Sequence, residues 1–204
     1  MIRHIFTAFE RSFRFIALIW WIYIIDFLIC AVFGVQYSLN YFGLAPRTAQ
    51  GLFGIVTMPF LHGNFLHIIE NSMSLFVVLV PLYLELSDRF RMPEVIIKIT
   101  VVSGSLLWFM GRGDSIHIGA SALVYGLIVY ACIAGFKYKR LSLLAFGAAA
   151  IFFSGGGLLM GIIPSDPQVS WDGHLMGAIA GAIVIFSERN LNDDRCSTRY
   201  PEPN

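Results

Sequence analysis

Four polar side chains stand in stretches otherwise made of hydrocarbon. His67 and Asn71 share one apolar segment, Ser121 in Gly119-Ala120-Ser121 opens a second, and His174 opens a third. Unpaired polar groups in lipid are costly, so ionisable residues in spanning segments mark functional sites by default. A serine and a histidine are the nucleophile and base of acyl transfer, and two more hydrogen-bonding side chains can hold the oxyanion it generates. Ser121 begins its segment, where backbone N–H groups lack intrahelical partners and the macrodipole is positive. Gly119, two residues earlier, allows a positive φ or a close backbone approach. His67 and Asn71 are four apart, so they share a helix face and can offer two donors to one oxygen. His174 is the expected general base. Asp172 is a poor third member, because a two-residue step points to nearly the opposite helix face.

The segment behind His174 reads Gly177-Ala178-Ile179-Ala180-Gly181, a small-xxx-small face suited to close helix packing. It is expected to bring the His174 helix against the Ser121 helix. Tyr125, one turn after Ser121, would then lie on the imidazole and fix its orientation.

The elements that must position these residues are membrane spans. The 204 residues are 57% hydrophobic and only 13% charged, where a soluble domain carries about 25% charged residues. Six apolar segments approach the roughly 20 residues a spanning helix needs: about 13–35, 64–85, 95–111, 119–136, 141–163 and 172–187. The expected fold is an all-α, six-helix membrane bundle over 13–189, with a short N-terminal segment (1–12) and a polar tail (190–204). The positive-inside rule orients it. Twelve of the 14 Lys and Arg residues fall on the side of the termini, and only Arg47 and Arg112 on the other. Both termini are therefore expected in the cytoplasm.

Depth follows from the helical rise of about 1.5 Å per residue and a hydrocarbon thickness of about 30 Å. Counted from the cytoplasmic boundaries, Ser121 lies about 6 Å below the outer face, His174 and Asn71 about 9 Å, and His67 about 3 Å. Three helices thus bring their polar residues to one thin slab.

Other features carry less. The net charge of +1 and the lack of a basic patch interleaved with aromatics give no sign of nucleic-acid binding. Cys30, Cys132 and Cys196 have no metal-like spacing. There is no His-Glu-x-x-His, and His62 and His67 would diverge by about 140° on a helix, so no metal site or other cofactor is expected. Asp26 stands alone along the first helix, Glu70 has no clear geometric role, and His117 reads as a loop histidine. A small transporter would need charged partners at mid-depth, and the sequence offers none.

Three motifs together resemble one family. His62-Gly63-Asn64-Phe65-Leu66-His67-Ile68-Ile69-Glu70-Asn71 is similar to the His-x4-His-x3-Asn signature of rhomboid intramembrane proteases. Gly119-Ala120-Ser121 with Tyr125 resembles their nucleophile motif, and the run from His174 through Gly177 to Gly181 resembles their His-x2-Gly-x3-Gly segment. The resemblance implies a six-helix rhomboid bundle whose water-accessible cavity opens outward. It implies a Ser121–His174 dyad without an aspartate, and an oxyanion held by the Ser121 N–H, His67 and Asn71. The substrate would be a single-pass membrane protein cut in or near its transmembrane helix. Separately from the resemblance, a short chain with six spans suits a bacterial plasma membrane. Two features depart from the family pattern. Ala122 stands where Gly usually follows the serine, and the Trp-Arg pair of the first outer loop is absent, with Glu85 to Arg89 a distorted form of a further motif. Ala122 is the feature that favours the alternative, a catalytically inactive relative that binds membrane-protein clients. The sequence leaves the oligomeric state open.

Overall fold

The computed structural model describes residues 2–86, 92–153, 161–163 and 169–188. Seven α-helices lie among them: α1 (Ile2–Phe33), α2 (Gly51–Thr57), α3 (Phe65–Leu86), α4 (Met92–Met110), α5 (Ser121–Lys137), α6 (Leu141–Phe153) and α7 (Trp171–Ser187). Among the described residues the one β-type pairing is an isolated antiparallel bridge between Leu44 and His117. Helices α1, α3 and α4 are long and apolar enough to cross a membrane, while α5, α6 and α7 are shorter apolar helices. In lipid, helices satisfy every backbone hydrogen bond internally, which is why an apolar chain of this kind folds this way.

Two boundaries differ from the sequence expectation for physical reasons. Helix α1 begins at Ile2 rather than near residue 13. Charge ends a hydrophobic span, but it does not end a helix: Arg14 pairs with Glu10 at 2.6 Å one turn earlier, and the coil continues through them. The connection 36–63, between the first two expected spans, is not plain loop: it carries α2 and, with its flank, three short 3-10 turns, Val35–Tyr37, Leu39–Phe42 and Met58–Phe60. The expected fifth span, 141–163, is described as helix to Phe153, and 154–160 lie outside the described residues, as do Arg89 and the tail 190–204.

Helix α5 is the centre of the bundle. Eleven of its residues are buried, from Ala122 to Gly135, and it packs against α7 above all, then α6, α3 and α4. A helix apolar all round is a buried helix. Helix α1 lies at the periphery, attached to α3 through the Trp20 Nε1 bond to Ser72 Oγ at 3.0 Å and the Phe9–Phe76 and Trp20–Phe65 edge contacts. Its other faces expose large apolar side chains such as Phe6, Phe13, Trp21 and Phe27. An apolar surface of that extent fits hydrocarbon rather than water.

Two ion pairs lie at the helix ends far from Ser121. Lys98 pairs with Glu188 at 2.9 Å and Arg140 with Glu85 at 3.4 Å, tying α4 to α7 and the end of α5 to α3. Asp26, which the sequence leaves alone on α1, has partners here. Its carboxylate accepts from the Leu39 N–H at 2.6 Å and from Ser38 Oγ at 3.2 Å. It fastens the start of the 36–63 connection to α1, a role invisible until the chain turns back.

Candidate active site

Helices α5 and α7 run side by side in the same direction, and glycine sets their separation. A Cβ built on Gly177 would collide with the Ala122 carbonyl oxygen, and one on Gly181 with the Gly126 carbonyl oxygen. The two backbones are in contact, as small-xxx-small faces allow. That closeness brings the first turns of both helices together.

There Ser121 Oγ lies 2.9 Å from His174 Nε2. The other ring nitrogen, Nδ1, lies 2.8 Å from the carbonyl oxygen of Gly161. A carbonyl can only accept, so Nδ1 carries the hydrogen and Nε2 presents its lone pair to the serine hydroxyl. This is the tautomer a general base requires. The ring of Tyr125 stacks on the imidazole with centroids 4.3 Å apart and planes 8° apart, fixing its tilt. The imidazole is therefore held by a stack on one face and by a hydrogen bond at each nitrogen.

The loop before α5 carries the second half of the site. Gly119 adopts φ +109°, a region that side-chain-bearing residues avoid. Space gives a second reason for glycine there: a Cβ would stand 2.6 Å from His67 Nε2 and 3.5 Å from Asn71 Nδ2. The His67 ring and the Asn71 amide, from α3, thus lie against the backbone two residues before Ser121. Asn64 caps α3 by accepting the His67 N–H at 2.9 Å, which fixes the first turn and the exit of the His67 side chain. Asn71 Nδ2 is buried and makes no hydrogen bond in this structure. A buried orphan donor costs about 1–3 kcal/mol, and one placed beside a helix N-terminus suits an oxygen that arrives with a ligand.

Asp172 does not reach His174. Its carboxylate accepts from the Arg112 N–H at 2.8 Å and lies 3.4 Å from the Arg112 guanidinium, on the opposite side of the helix as the two-residue step requires. The partner of Nδ1 is instead the Gly161 carbonyl, which residue types could not reveal because every residue has one. His62 and His67 also meet contrary to expectation, with rings edge-to-face at 5.0 Å. The 140° divergence applies to two residues on one helix, and His62 precedes α3, which begins at Phe65. His62 lies outside the spans; burial, reinforced by the neighbouring His67, pushes its pKa down to about 4. His117 is a loop residue whose side chain bonds Ser170 and Ser115 rather than Ser121. Ala122 is 3% exposed, and its methyl belongs to an apolar cluster with Leu44, Met58, Leu107 and Met176. The extra carbon therefore has a packed place, compatible with the Ser121–His174 contact.

A search of protein families matches the rhomboid domain over residues 49–190. Among curated proteins, uncharacterised proteins of Mycobacterium bovis and Mycobacterium tuberculosis are each 32% identical over 180 residues, covering 84% of this chain and 71% of the relative. An uncharacterised protein of Mycobacterium leprae is 29% identical over 180 residues, covering 84% of this chain and 68% of the relative. No solved structure matches significantly. With the domain match spanning most of the chain, and with apolar helices built around a serine, a histidine and the glycines between them, this integral membrane protein belongs to the rhomboid family.

Proposed function

We propose that the protein is an intramembrane serine endopeptidase working through a Ser121–His174 dyad. The observation that carries the reading is the 2.9 Å contact between Ser121 Oγ and His174 Nε2, with Nδ1 held by the Gly161 carbonyl. A hydroxyl next to an oriented imidazole is the arrangement of an activated nucleophile.

The chemistry follows from the atoms. His174 Nε2 takes the Ser121 hydroxyl proton as Oγ attacks the scissile carbonyl carbon. The resulting oxyanion accepts from the Ser121 N–H at the α5 terminus, from Asn71 Nδ2 and from His67. His174 then delivers its proton to the leaving amine, and water repeats the sequence on the acyl-enzyme. Gly119, Gly177 and Gly181 let the three backbones approach closely enough, and Tyr125 orients the base.

The substrate is a single-pass membrane protein whose helix unwinds locally, since a helical peptide hides its carbonyls from a nucleophile. The bundle has six spans with both termini in the cytoplasm, as the bias of Lys and Arg requires. The site then lies just below the outer face of a bacterial plasma membrane. Helices α5 and α7, too short to span the full hydrocarbon thickness, leave room for water above the dyad.

The test is labelling of the detergent-solubilised protein by a fluorophosphonate probe, in which a Ser121 Oγ–P bond forms and fluoride leaves. Labelling of the wild type, lost in both Ser121→Ala and His174→Ala while thermal stability persists, is the expected result. A folded wild type that does not label, beside a reactive rhomboid control, overturns the protease reading and favours a client-binding protein.

A further inference from the structure

A second polar cluster lies one helical turn before the dyad on both chain segments. His117 Nδ1 is 2.7 Å from Ser170 Oγ, four residues ahead of Ser121 and His174 respectively. His117 Nε2 lies 3.2 Å from Ser115 Oγ and 3.7 Å from the Asp172 carboxylate. Arg112 completes the cluster: its N–H and guanidinium meet Asp172, and Nη2 donates to the Val169 carbonyl at 2.9 Å. Every one of these contacts between segments joins the loop 111–120, which ends in the nucleophile, to residues 169–172, which lead into the base.

The His117 backbone is itself well anchored. Its N–H donates to the Leu44 carbonyl at 2.8 Å and its carbonyl accepts the Leu44 N–H at 2.9 Å, with Leu44 completely buried. The side chains of His117 and Asp172 are 2% and 4% exposed. A carboxylate is costly to bury unless paired and hydrogen-bonded, so its retention at this joint calls for a reason beyond packing.

Geometry supplies one. The glycine contacts pin α5 to α7 on the far side of the dyad, at Gly177 with Ala122 and at Gly181 with Gly126. Two helices pinned on one side only can splay at the free ends, where Ser121 and His174 meet. The loop leading to Ser121 is tied by the Leu44–His117 bridge to the 36–63 connection, not to α7, and turns through the positive φ of Gly119.

We propose that Asp172, paired with Arg112 and lying against His117, which is itself bonded to Ser170, is a positioning residue that clamps the nucleophile loop to the base helix and sets the Ser121–His174 distance. The proposal rests on the protease reading above. The dyad is then held at two levels, by polar contacts before it and by backbone contact after it.

The experiment measures fluorophosphonate labelling of the full-length protein, resolved into the probe's affinity and its maximal labelling rate, together with thermal stability. Asp172→Ala is expected to slow the maximal rate about 10²-fold, the consequence of displacing reacting groups by about 1 Å, with probe affinity unchanged. Asp172→Asn keeps an oxygen for the Arg112 N–H and is expected to recover part of that rate. Ser170→Ala removes one hydroxyl and no charge, and a slowing of about 2- to 10-fold is expected from one hydrogen bond; it decides the matter should Asp172→Ala fail to fold. Wild-type maximal rates in folded Asp172→Asn and Ser170→Ala, or losses confined to probe affinity or stability, overturn the clamp while leaving the dyad intact. A folded wild type that does not label overturns the protease reading and the clamp with it.

Discussion

The imidazole of His174 lies flat on the ring of Tyr125, 4.3 Å between centroids and 8° between planes. The stack leaves both ring nitrogens free to bond in the imidazole plane, to Ser121 and to Gly161. An aromatic pair of this kind is worth about 0.5–1.5 kcal/mol beyond its buried area. Tyr125→Phe keeps the ring and should label within about 2-fold of wild type. Tyr125→Ala should slow labelling by about 2- to 10-fold, the same energy expressed as a rate. Equal rates for the two variants would remove any orienting role from the stack.

Asn71 should trade stability for catalysis. Its buried Nδ2 has no partner in the resting site, so Asn71→Leu, which keeps the branched shape without the polar atoms, relieves an unsatisfied donor worth about 1–3 kcal/mol. The expected result is a rise in Tm together with a fall of about 10²–10³ in turnover, the usual effect of losing one oxyanion donor. A variant that is less stable and still active would identify Asn71 as a helix-linking residue instead.

Gly177 is the tightest test of the α5–α7 contact. A side chain there meets the Ala122 carbonyl, a backbone atom that cannot rotate away. Gly177→Val should therefore force the helices apart and abolish labelling, since displacing the dyad by about 1 Å is worth about 10²-fold. Ala178→Val, one position along, serves as the control for added bulk, with Ala178 only partly buried. Similar rates for both substitutions would show that the helix contact does not set the dyad.

His62 predicts a pH dependence of stability. In the unfolded chain it titrates near 6.5, and in the fold at about 4, because burial and His67 disfavour its charged form. The unfolded state thus binds the proton first as pH falls. Stability is fully present above pH 6.5 and declines between 6.5 and about 4. The loss over that window is about 3 kcal/mol at about 1.4 kcal/mol per pH unit. His62→Phe keeps a ring against His67 without a titrating group, and Tm measured from pH 7 to 4 should flatten relative to wild type. Parallel curves for the two proteins would exclude His62 as the source.

Residue types and spacing alone single out much of the candidate site. Ser121, His174, His67 and Asn71 stand out because polar groups in hydrocarbon need a reason, and helical rise places them at one depth. Gly177 and Gly181 are legible because a four-residue step puts both on one helix face. Only the tertiary structure decided what these groups bond to. Gly161 supplies a carbonyl that any residue would carry, so no side chain announces it. Asp26 finds Leu39 and Ser38, and His117 finds Ser170 across 53 residues, only after the chain has folded back. His62 reaches His67 because α3 starts later than the motif does. Local periodicity fixes which face of a helix a residue occupies. Partners distant in sequence are fixed by how the helices pack, which no local pattern encodes.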